Sequence, residues 1–285
     1  MLILSITLLT VIIPGLAAGL IAYRWPQAAT TAPHLSVEQV KVEARRHPRL
    51  VAFTQTRLDP NSATGLLLSA AIILFVAGAA SVAIVLVMIH TNTGFARLDR
   101  SASLFGAHHA TALSTRFLRI YTQLGGAVVI VPIAVIVAII ETIRQRSVAV
   151  ITFLTLVVGG QFLIANVIKS IVRRGRPDFY QLTGFSGSSF PSGHAVAAAA
   201  CLAAFALVIG RRRSLKVRAL LAGLSVGLAT GIACCRVMLG VHWLTDVLGG
   251  LALGWAWFAL CSIAFGGYQL RFGAPAKIAG ETVTS

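Results

Sequence analysis

Charged residues are scarce in this chain, and acidic residues are the scarcest. Only 11% of its 285 residues are charged, with 8 Asp and Glu against 24 Lys and Arg. Apolar residues make up 57%, and the mean hydropathy is +0.86. This composition excludes an ordinary water-soluble domain and favours a membrane protein. The net charge of +16 does not require a nucleic-acid partner, because basic loops on the cytoplasmic side set membrane topology.

Further absences narrow the chemistry. The sequence has no CxxC pair and no Cys/His ligand spacing, so neither a redox nor a zinc role is predicted for its four cysteines, Cys201, Cys234, Cys235 and Cys261. No HExxH-like metal spacing occurs either. The strict alternation of barrel strands is missing, which argues against a β-barrel. We therefore expect an all-α membrane protein without a metal or another cofactor.

Seven apolar runs are about long enough to cross a bilayer as helices. They cover residues 2–23, 65–90, 121–140, 148–168, 192–210, 217–239 and 243–265. The first run has no basic segment before it, and Arg24 follows it instead. This pattern favours a retained helix over a cleaved signal peptide.

The basic residues predict an orientation. Arg211, Arg212 and Arg213 form the strongest basic loop, which we place in the cytoplasm. Alternation of the spans then puts 15 of the 24 Lys and Arg residues on that side and nine on the other. We expect a multi-pass protein of the cell membrane whose three sequence motifs, described next, all reach the extracytoplasmic face.

Two long connections separate the spans. Residues 24–64 are polar, with a short helix predicted at 37–46 that Ser36 would cap. Residues 91–120 contain an amphipathic stretch that we interpret as a helix at the outer interface, with a solvated loop as the alternative. The predicted organisation is an N-terminal helix and loop (1–64), a six-span domain (65–266) and a cytoplasmic tail (267–285).

The first motif follows the fourth span. Lys169 and Arg176 are seven residues apart, so both are predicted to face one side of a helix that Pro177 stops. Lysine offers a compact charge and arginine a planar fork, and both suit phosphate oxygens. The alternative is that these residues only anchor to lipid headgroups, which is the role that we expect for Arg173 and Arg174.

The second motif, Pro191-Ser192-Gly193-His194, opens the fifth span. A helix start offers free N–H groups and a positive dipole end, which favour a bound anion. Gly193 permits a close backbone approach, and Ser192 either caps the helix or donates to an oxyanion. An ordinary helix cap followed by an interfacial histidine remains the alternative.

The third motif comprises Arg236, His242 and Asp246. His242 and Asp246 are four residues apart at the start of the last span, so they share a helix face. A carboxylate that accepts from one ring nitrogen fixes the tautomer and leaves the other nitrogen free to attack. An ionisable residue in a membrane span is a functional candidate. The alternative is a pair that only stabilises the helix start.

These three motifs, in this order, resemble the signature of the type 2 phosphatidic acid phosphatase superfamily, which also includes bacterial lipid phosphatases and vanadium haloperoxidases. The signature is K-x6-RP, then PSGH, then SR-x5-H-x3-D. The chain matches it at every position except Cys235, where the family usually has serine. The resemblance covers about residues 65–266.

The resemblance implies a function and residue roles. His242 would be the nucleophile that forms a phosphohistidine, Asp246 would orient it, and His194 would protonate the leaving group. The phosphate oxygens would be held by Lys169, Arg176, Ser192, Gly193 and Arg236, with no metal. We expect a lipid phosphatase with a polyprenyl (undecaprenyl-type) diphosphate as its preferred substrate. The alternatives are phosphatidic acid or phosphatidylglycerol phosphate, a non-enzymatic protein that binds or moves lipids, and haloperoxidase chemistry.

Overall fold

The computed structural model describes residues 1–28, 63–211 and 213–269, with side chains in 1–24, 71–211 and 213–265. All regular elements in these residues are helical. The α-helices are α1 (Leu2–Ala28), α2 (Ala63–Thr91), α3 (Asp99–His108), α4 (Ala112–Thr122), α5 (Ala127–Gln145), α6 (Ala149–Val172), α7 (Gly193–Gly210), α8 (Leu215–Met238) and α9 (Leu244–Gln269). The helix predicted at 37–46 and the tail after residue 269 lie outside the described residues.

Seven of these helices, α1, α2 and α5 to α9, are long and apolar enough to cross a membrane. The predicted all-α membrane bundle with seven spans is therefore confirmed. Several boundaries differ, most clearly in the third span, which covers Ala127–Gln145 instead of residues 121–140. The residues before it form α4 and a 3-10 turn, Gln123–Gly125, which continue the polar outer segment.

The centre of the bundle consists of α7, α8 and α9, the most buried spans among those described. Small residues permit their close contact. Ala195 to Ala200 on α7 are all buried, and a side chain on Gly250 of α9 would lie only 3.0 Å from the Ser192 carbonyl oxygen. Lipid tails are as apolar as leucine, so such close packing, more than the hydrophobic effect, holds membrane helices together.

Two outer helices pack on this centre by the same means. On α1, a Cβ at Gly15 would lie 2.9 Å from the carbonyl oxygen of Gly223 on α8. On α2, a Cβ at Gly78 would lie 2.8 Å from the Ala252 carbonyl oxygen on α9. Glycine at these positions therefore sets the distance between the helix axes.

The two ends of the bundle differ. At one end, Glu141 pairs with Arg144 at 2.7 Å, and Arg211 donates to Gln145 at 3.1 Å. The other end is covered by α3 and α4, and α4 begins with a reciprocal Thr111–Ser114 capping box. Residues 91–120 are thus mainly helical, so the solvated-loop alternative is wrong. The helices α3 and α4 lie over the end where the sequence motifs meet.

Candidate active site

The three predicted motifs meet at this covered end. Lys169 lies in the last turn of α6 and Arg236 in the last turn of α8, while Asp246 lies in the first turn of α9. His194 is the second residue of α7. His242 lies in the loop between α8 and α9, and it faces the same cluster of charges as His194. Residues separated by up to 77 positions therefore form one site.

The first motif is arranged differently from its prediction. The helix α6 ends at Val172 because Arg173 adopts a left-handed conformation, with φ 48° and ψ 35°. The predicted continuation of the helix to Pro177 is therefore wrong. Lys169 remains on the helix, and its Nζ lies 3.6 Å from where a Cβ on Gly193 would stand. A side chain at Gly193 would consequently narrow the space in front of the lysine.

Arg176 lies in the loop after α6, and its guanidinium is fixed by backbone oxygens. It donates at 2.7 to 3.2 Å to the carbonyl oxygens of Ser186, Gly187, Ser188 and Val241. A guanidinium keeps its charge in proteins. The loop 186–188 and the α8–α9 connection thereby hold a permanent cation at the site.

His242 receives its orientation from two sides. Arg176 Nη1 lies 3.1 Å from His242 Nε2, and because a guanidinium can only donate, Nε2 must accept. The ring is then neutral, with its proton on Nδ1, which lies 3.5 Å from Asp246 Oδ2. Burial lowers the pKa of His242 to about 4, although Asp246 pulls in the opposite direction. The unprotonated Nε2 therefore faces Arg176 with its lone pair.

The second motif places a hydroxyl and a histidine at the start of α7. Ser192 is the N-cap residue of α7, but its side chain makes no capping hydrogen bond, so the first of its two predicted roles is not fulfilled. Its Oγ is buried and lacks a hydrogen-bond partner among the described residues, which leaves donation to an oxyanion as its predicted role. His194 lies nearby, with Nε2 3.5 Å from where a Cβ on Gly126 would stand.

Unpaired polar atoms mark the site as a place for a polar ligand. Within the described part of the chain, Ser192 Oγ and Arg236 Nε are buried without a hydrogen-bond partner, while His242 Nδ1 has only the long 3.5 Å approach to Asp246 Oδ2. Each such group costs about 1–3 kcal/mol. An anion with several oxygens would suit this arrangement. It could accept from Ser192 Oγ and Arg236 Nε, from Lys169 and Arg176, and from the N–H groups at the start of α7.

Arg174 belongs to the site, although the sequence predicted only a headgroup anchor. Its Nη1 donates to Asp246 Oδ1 at 2.6 Å, and its Nη2 donates to Asp99 Oδ2 at 2.7 Å. The anchoring role expected for Arg174 is therefore wrong. Arg173 is exposed and donates to the carbonyl oxygen of Ser170 at 2.8 Å.

Asp99 is a second residue that sequence reasoning missed. It begins α3, is 4% exposed, and accepts from both the backbone N–H and the hydroxyl of Thr245 at 2.8 and 2.7 Å. One signal for it was present. Asp99 is one of only 8 acidic residues, but an aspartate in an outer segment ordinarily faces water, so this signal is weak.

The described residues offer no cluster of three or more His, Cys, Asp or Glu side chains with metal-binding geometry. Cys235, which stands where the resembled family usually has serine, is fully buried among apolar side chains of the core. Its thiol therefore contributes to packing.

The helical membrane bundle and its cationic, histidine-containing end define an integral-membrane protein built to bind a phosphate group. The chain belongs to the PAP2 superfamily. The family's sequence profile matches residues 148–268. Phosphatidylglycerophosphatase B of Bacillus subtilis is 35% identical over 144 residues, which cover 49% of this chain and 69% of that protein. The predicted family resemblance is thus confirmed.

Other relatives carry different names. Lipid A 1-phosphatase of Rhizobium johnstonii is 39% identical over 118 residues, 38% of this chain and 43% of that protein. Decaprenylphosphoryl-5-phosphoribose phosphatase of Mycobacterium tuberculosis is 38% identical over 110 residues, 37% of this chain and 56% of that protein. The alignment to the lipid A phosphatase thus spans less than half of that relative.

A solved structure shares the fold. It is the crystal structure of a transmembrane PAP2 type phosphatidylglycerolphosphate phosphatase from Bacillus subtilis, with a TM-score of 0.62 and 25% identity. The similarity covers 70% of this chain and 99% of that one. More than two thirds of this chain therefore has an experimentally determined structural counterpart.

Proposed function

We propose that this protein is an integral-membrane lipid phosphatase that works through a phosphohistidine on His242. One observation carries the proposal. Nε2 of His242 accepts from Arg176, while Nδ1 faces Asp246. A neutral imidazole held in this tautomer is a prepared nucleophile.

The first half-reaction follows from this arrangement. His242 Nε2 attacks phosphorus, and the bond from phosphorus to the leaving oxygen breaks. The Nδ1 proton remains on the ring, so the phosphoimidazole carries a positive charge that Asp246 offsets. Protonated His194 gives its proton to the leaving oxygen. The dianionic phosphate favours that protonated form, because its charge offsets the surrounding cations.

In the second half-reaction, water attacks the phosphohistidine. His194, now neutral, takes a proton from the water, and inorganic phosphate leaves with the P–N electron pair returning to Nε2. Lys169, Arg176 and Arg236 carry fixed positive charge toward the oxygens on which negative charge builds up. The cycle restores both histidines to their starting forms.

A polyprenyl diphosphate is our preferred substrate. The site lies at the end of the bundle opposite the basic loop around Arg211 and Arg213, so we place it on the extracytoplasmic face of the cell membrane. A carrier lipid released on that face would present its phosphates there. The mycobacterial relative, named for a decaprenylphosphoryl substrate, supports a polyprenyl lipid by analogy.

Phosphatidylglycerol phosphate, with phosphatidic acid beside it, is the second candidate class. The observation that favours it is the Bacillus subtilis phosphatidylglycerophosphatase B, whose similarity covers more than two thirds of that protein. Both classes present a terminal phosphate on a membrane lipid, which is the chemistry that the cations and His242 would recognise.

The test is phosphate release by the purified full-length protein in detergent from undecaprenyl diphosphate, phosphatidylglycerol phosphate, phosphatidic acid and lipid A 1-phosphate. We expect turnover of at least one of them, with the highest kcat/KM for the diphosphate. A higher value for a glycerolipid would overturn the substrate preference only. Binding of all four without phosphate release would support the non-enzymatic alternative and contradict the proposal.

A further inference from the structure

Arg174 bridges two buried carboxylates that are far apart in sequence. Its side chain is 16% exposed, and those of Asp99 and Asp246 are 6% and 0% exposed. Its Nη1 also donates to Thr245 Oγ1 at 2.7 Å. A charge pair this deeply buried is costly unless its geometry and hydrogen bonds are good. Because such a buried ion pair contributes little net stability, its presence in the site indicates a functional role.

The partners of Asp246 differ between its two oxygens. Oδ2 faces His242 and accepts from the backbone N–H of Trp243 at 2.9 Å and from the Ser189 hydroxyl. Oδ1 accepts from Arg174. Arg174 therefore fixes the rotation of the carboxylate plane, and Oδ2 is kept on the His242 side.

Asp99 in turn holds Arg174 in place. It accepts from Arg174 Nη2 and also from Thr245, at the start of α9. The ring of Trp243 lies 5.7 Å from the Arg174 guanidinium carbon and covers a second side of it. The start of α3 is thus tied to α9, the helix that carries Asp246.

We propose that Arg174, oriented by Asp99, positions Asp246 and through it the nucleophile His242. Neither Arg174, at an unspecified position of the first motif, nor Asp99 is one of the residues that the three motifs fix, and neither contacts Lys169 or Arg236 in the bonds described. The pair is a positioning device and not a phosphate ligand. This inference rests on the proposed phosphohistidine reaction.

The first experiment separates positioning from substrate binding. Arg174→Gln should lower kcat by about 10²-fold, the scale of a misplaced reactive group, while KM changes by less than about threefold. Arg174→Lys keeps one charge but not the fork, so it should restore part of the lost rate. Arg173→Gln, an adjacent exposed arginine, should behave like the wild-type protein. An unchanged kcat in Arg174→Gln would overturn the proposal.

The second experiment asks whether the effect passes through Asp246. In an Asp246→Asn background, the further change Arg174→Gln should lower kcat by less than about threefold, because residues acting as a unit are non-additive. An equal loss in both backgrounds would show an independent role and overturn the proposal.

A milder variant keeps the question open to test even if Arg174→Gln fails to fold. Asp99→Asn preserves the side-chain shape and should lower kcat by about 10-fold, with KM and the thermal unfolding midpoint nearly unchanged. Glu141→Gln, a buried acid paired with an arginine at the other end, is its matched control. If Asp99→Asn lowers kcat no more than Glu141→Gln does, the proposed role of Asp99 in orienting Arg174 is wrong.

Failure of the proposed function and failure of this inference would give different results. A wild-type protein that releases no phosphate from any lipid overturns the proposed function, and the inference falls with it. An active wild-type protein whose Asp99 and Arg174 variants keep its kcat overturns the inference alone.

Discussion

A single imidazole has two nitrogens, and in this site each has a different neighbour. Nε2 of His242 lies against a cation and Nδ1 against a carboxylate. Exchanging the two neighbours would place the proton on Nε2, the atom that we propose as the nucleophile. The choice of tautomer is therefore made by side chains that are themselves fixed, Arg176 by four carbonyl oxygens and Asp246 by Arg174.

His242→Ala should reduce turnover by more than about 10³-fold, because no other group in the site replaces the attacking nitrogen. Binding of a lipid phosphate should persist, since the cations remain. Phosphate release and lipid binding are measured on the same detergent preparation. His109→Ala, at an exposed histidine that bonds to the Phe105 carbonyl oxygen, is the control. Near-native phosphate release by His242→Ala would remove the proposed nucleophile.

The acid limb of kcat/KM should lie well below pH 6.5. Burial lowers the pKa of His242 to about 4, with Arg176 and Arg236 adding to the effect and Asp246 opposing it. The ring thus stays neutral over the range in which an ordinary histidine takes up its proton. Initial rates at low substrate concentration test this, once the titration of the substrate phosphate has been measured separately. An enzyme limb centred near pH 6.5 would contradict the expectation.

Activity should survive EDTA, because Lys169, Arg176 and Arg236 supply the positive charge that a metal ion would otherwise bring. Vanadate should compete with substrate, since it adopts the five-coordinate geometry of phosphoryl transfer. Rates are compared with and without chelator, then across vanadate concentrations. Activity lost in EDTA and restored by magnesium would count against the mechanism.

At the scale of helices, the sequence predicted the spans better than their ends. Long apolar runs are direct signals of membrane helices, and all seven were found. The end of α6 was missed because Arg173 occupies a left-handed position where glycine is the usual residue. Arg146 does the same after α5. Because no glycine marks this position, the first residue in the sequence that predicts the end of the helix is Pro177.

The α1–α8 contact should be sensitive to side-chain size. Gly15→Leu should destabilise the protein by about 1–3 kcal/mol, because a Cβ at Gly15 already approaches the Gly223 carbonyl oxygen at 2.9 Å. Thermal unfolding in detergent measures the change. Gly159→Leu on α6 is the control, since a Cβ there has no neighbour within 4 Å. Equal midpoints for the two variants would show that close packing of α1 contributes little.

At the scale of the whole molecule, the site residues that the sequence did not predict are those whose partners are far away in the chain. Asp99 and Thr245 are 146 positions apart and bond to each other. Hydropathy places both near one end of the bundle but does not indicate which side chains meet there. The three motifs could be found because their residue types already indicate phosphate chemistry. Arg174 and Asp99 become recognisable only when the helices are packed.

An impermeant thiol reagent applied to intact cells tests on which side of the membrane the site lies. A cysteine at Ser186, in the exposed loop beside the site, should be labelled. One at Ser214, in the exposed α7–α8 connection, should react only after the membrane is opened. Cys201, Cys235 and Cys261 are buried and should give little background. The reverse labelling pattern would place the site in the cytoplasm and remove the carrier-lipid proposal.

The position of the site at the ends of α6 to α9 has a consequence for equilibrium. A lipid phosphate cleaved there yields two products that leave into different phases. The lipid product, a monophosphate from a diphosphate or an alcohol from a monophosphate, stays among the acyl chains, and inorganic phosphate enters the aqueous compartment and is diluted. Resynthesis would require the lipid product from the bilayer and the phosphate from water to meet again at His242. Dilution of the released phosphate therefore reinforces the direction that water already gives to the proposed hydrolysis, without any energy input from the protein.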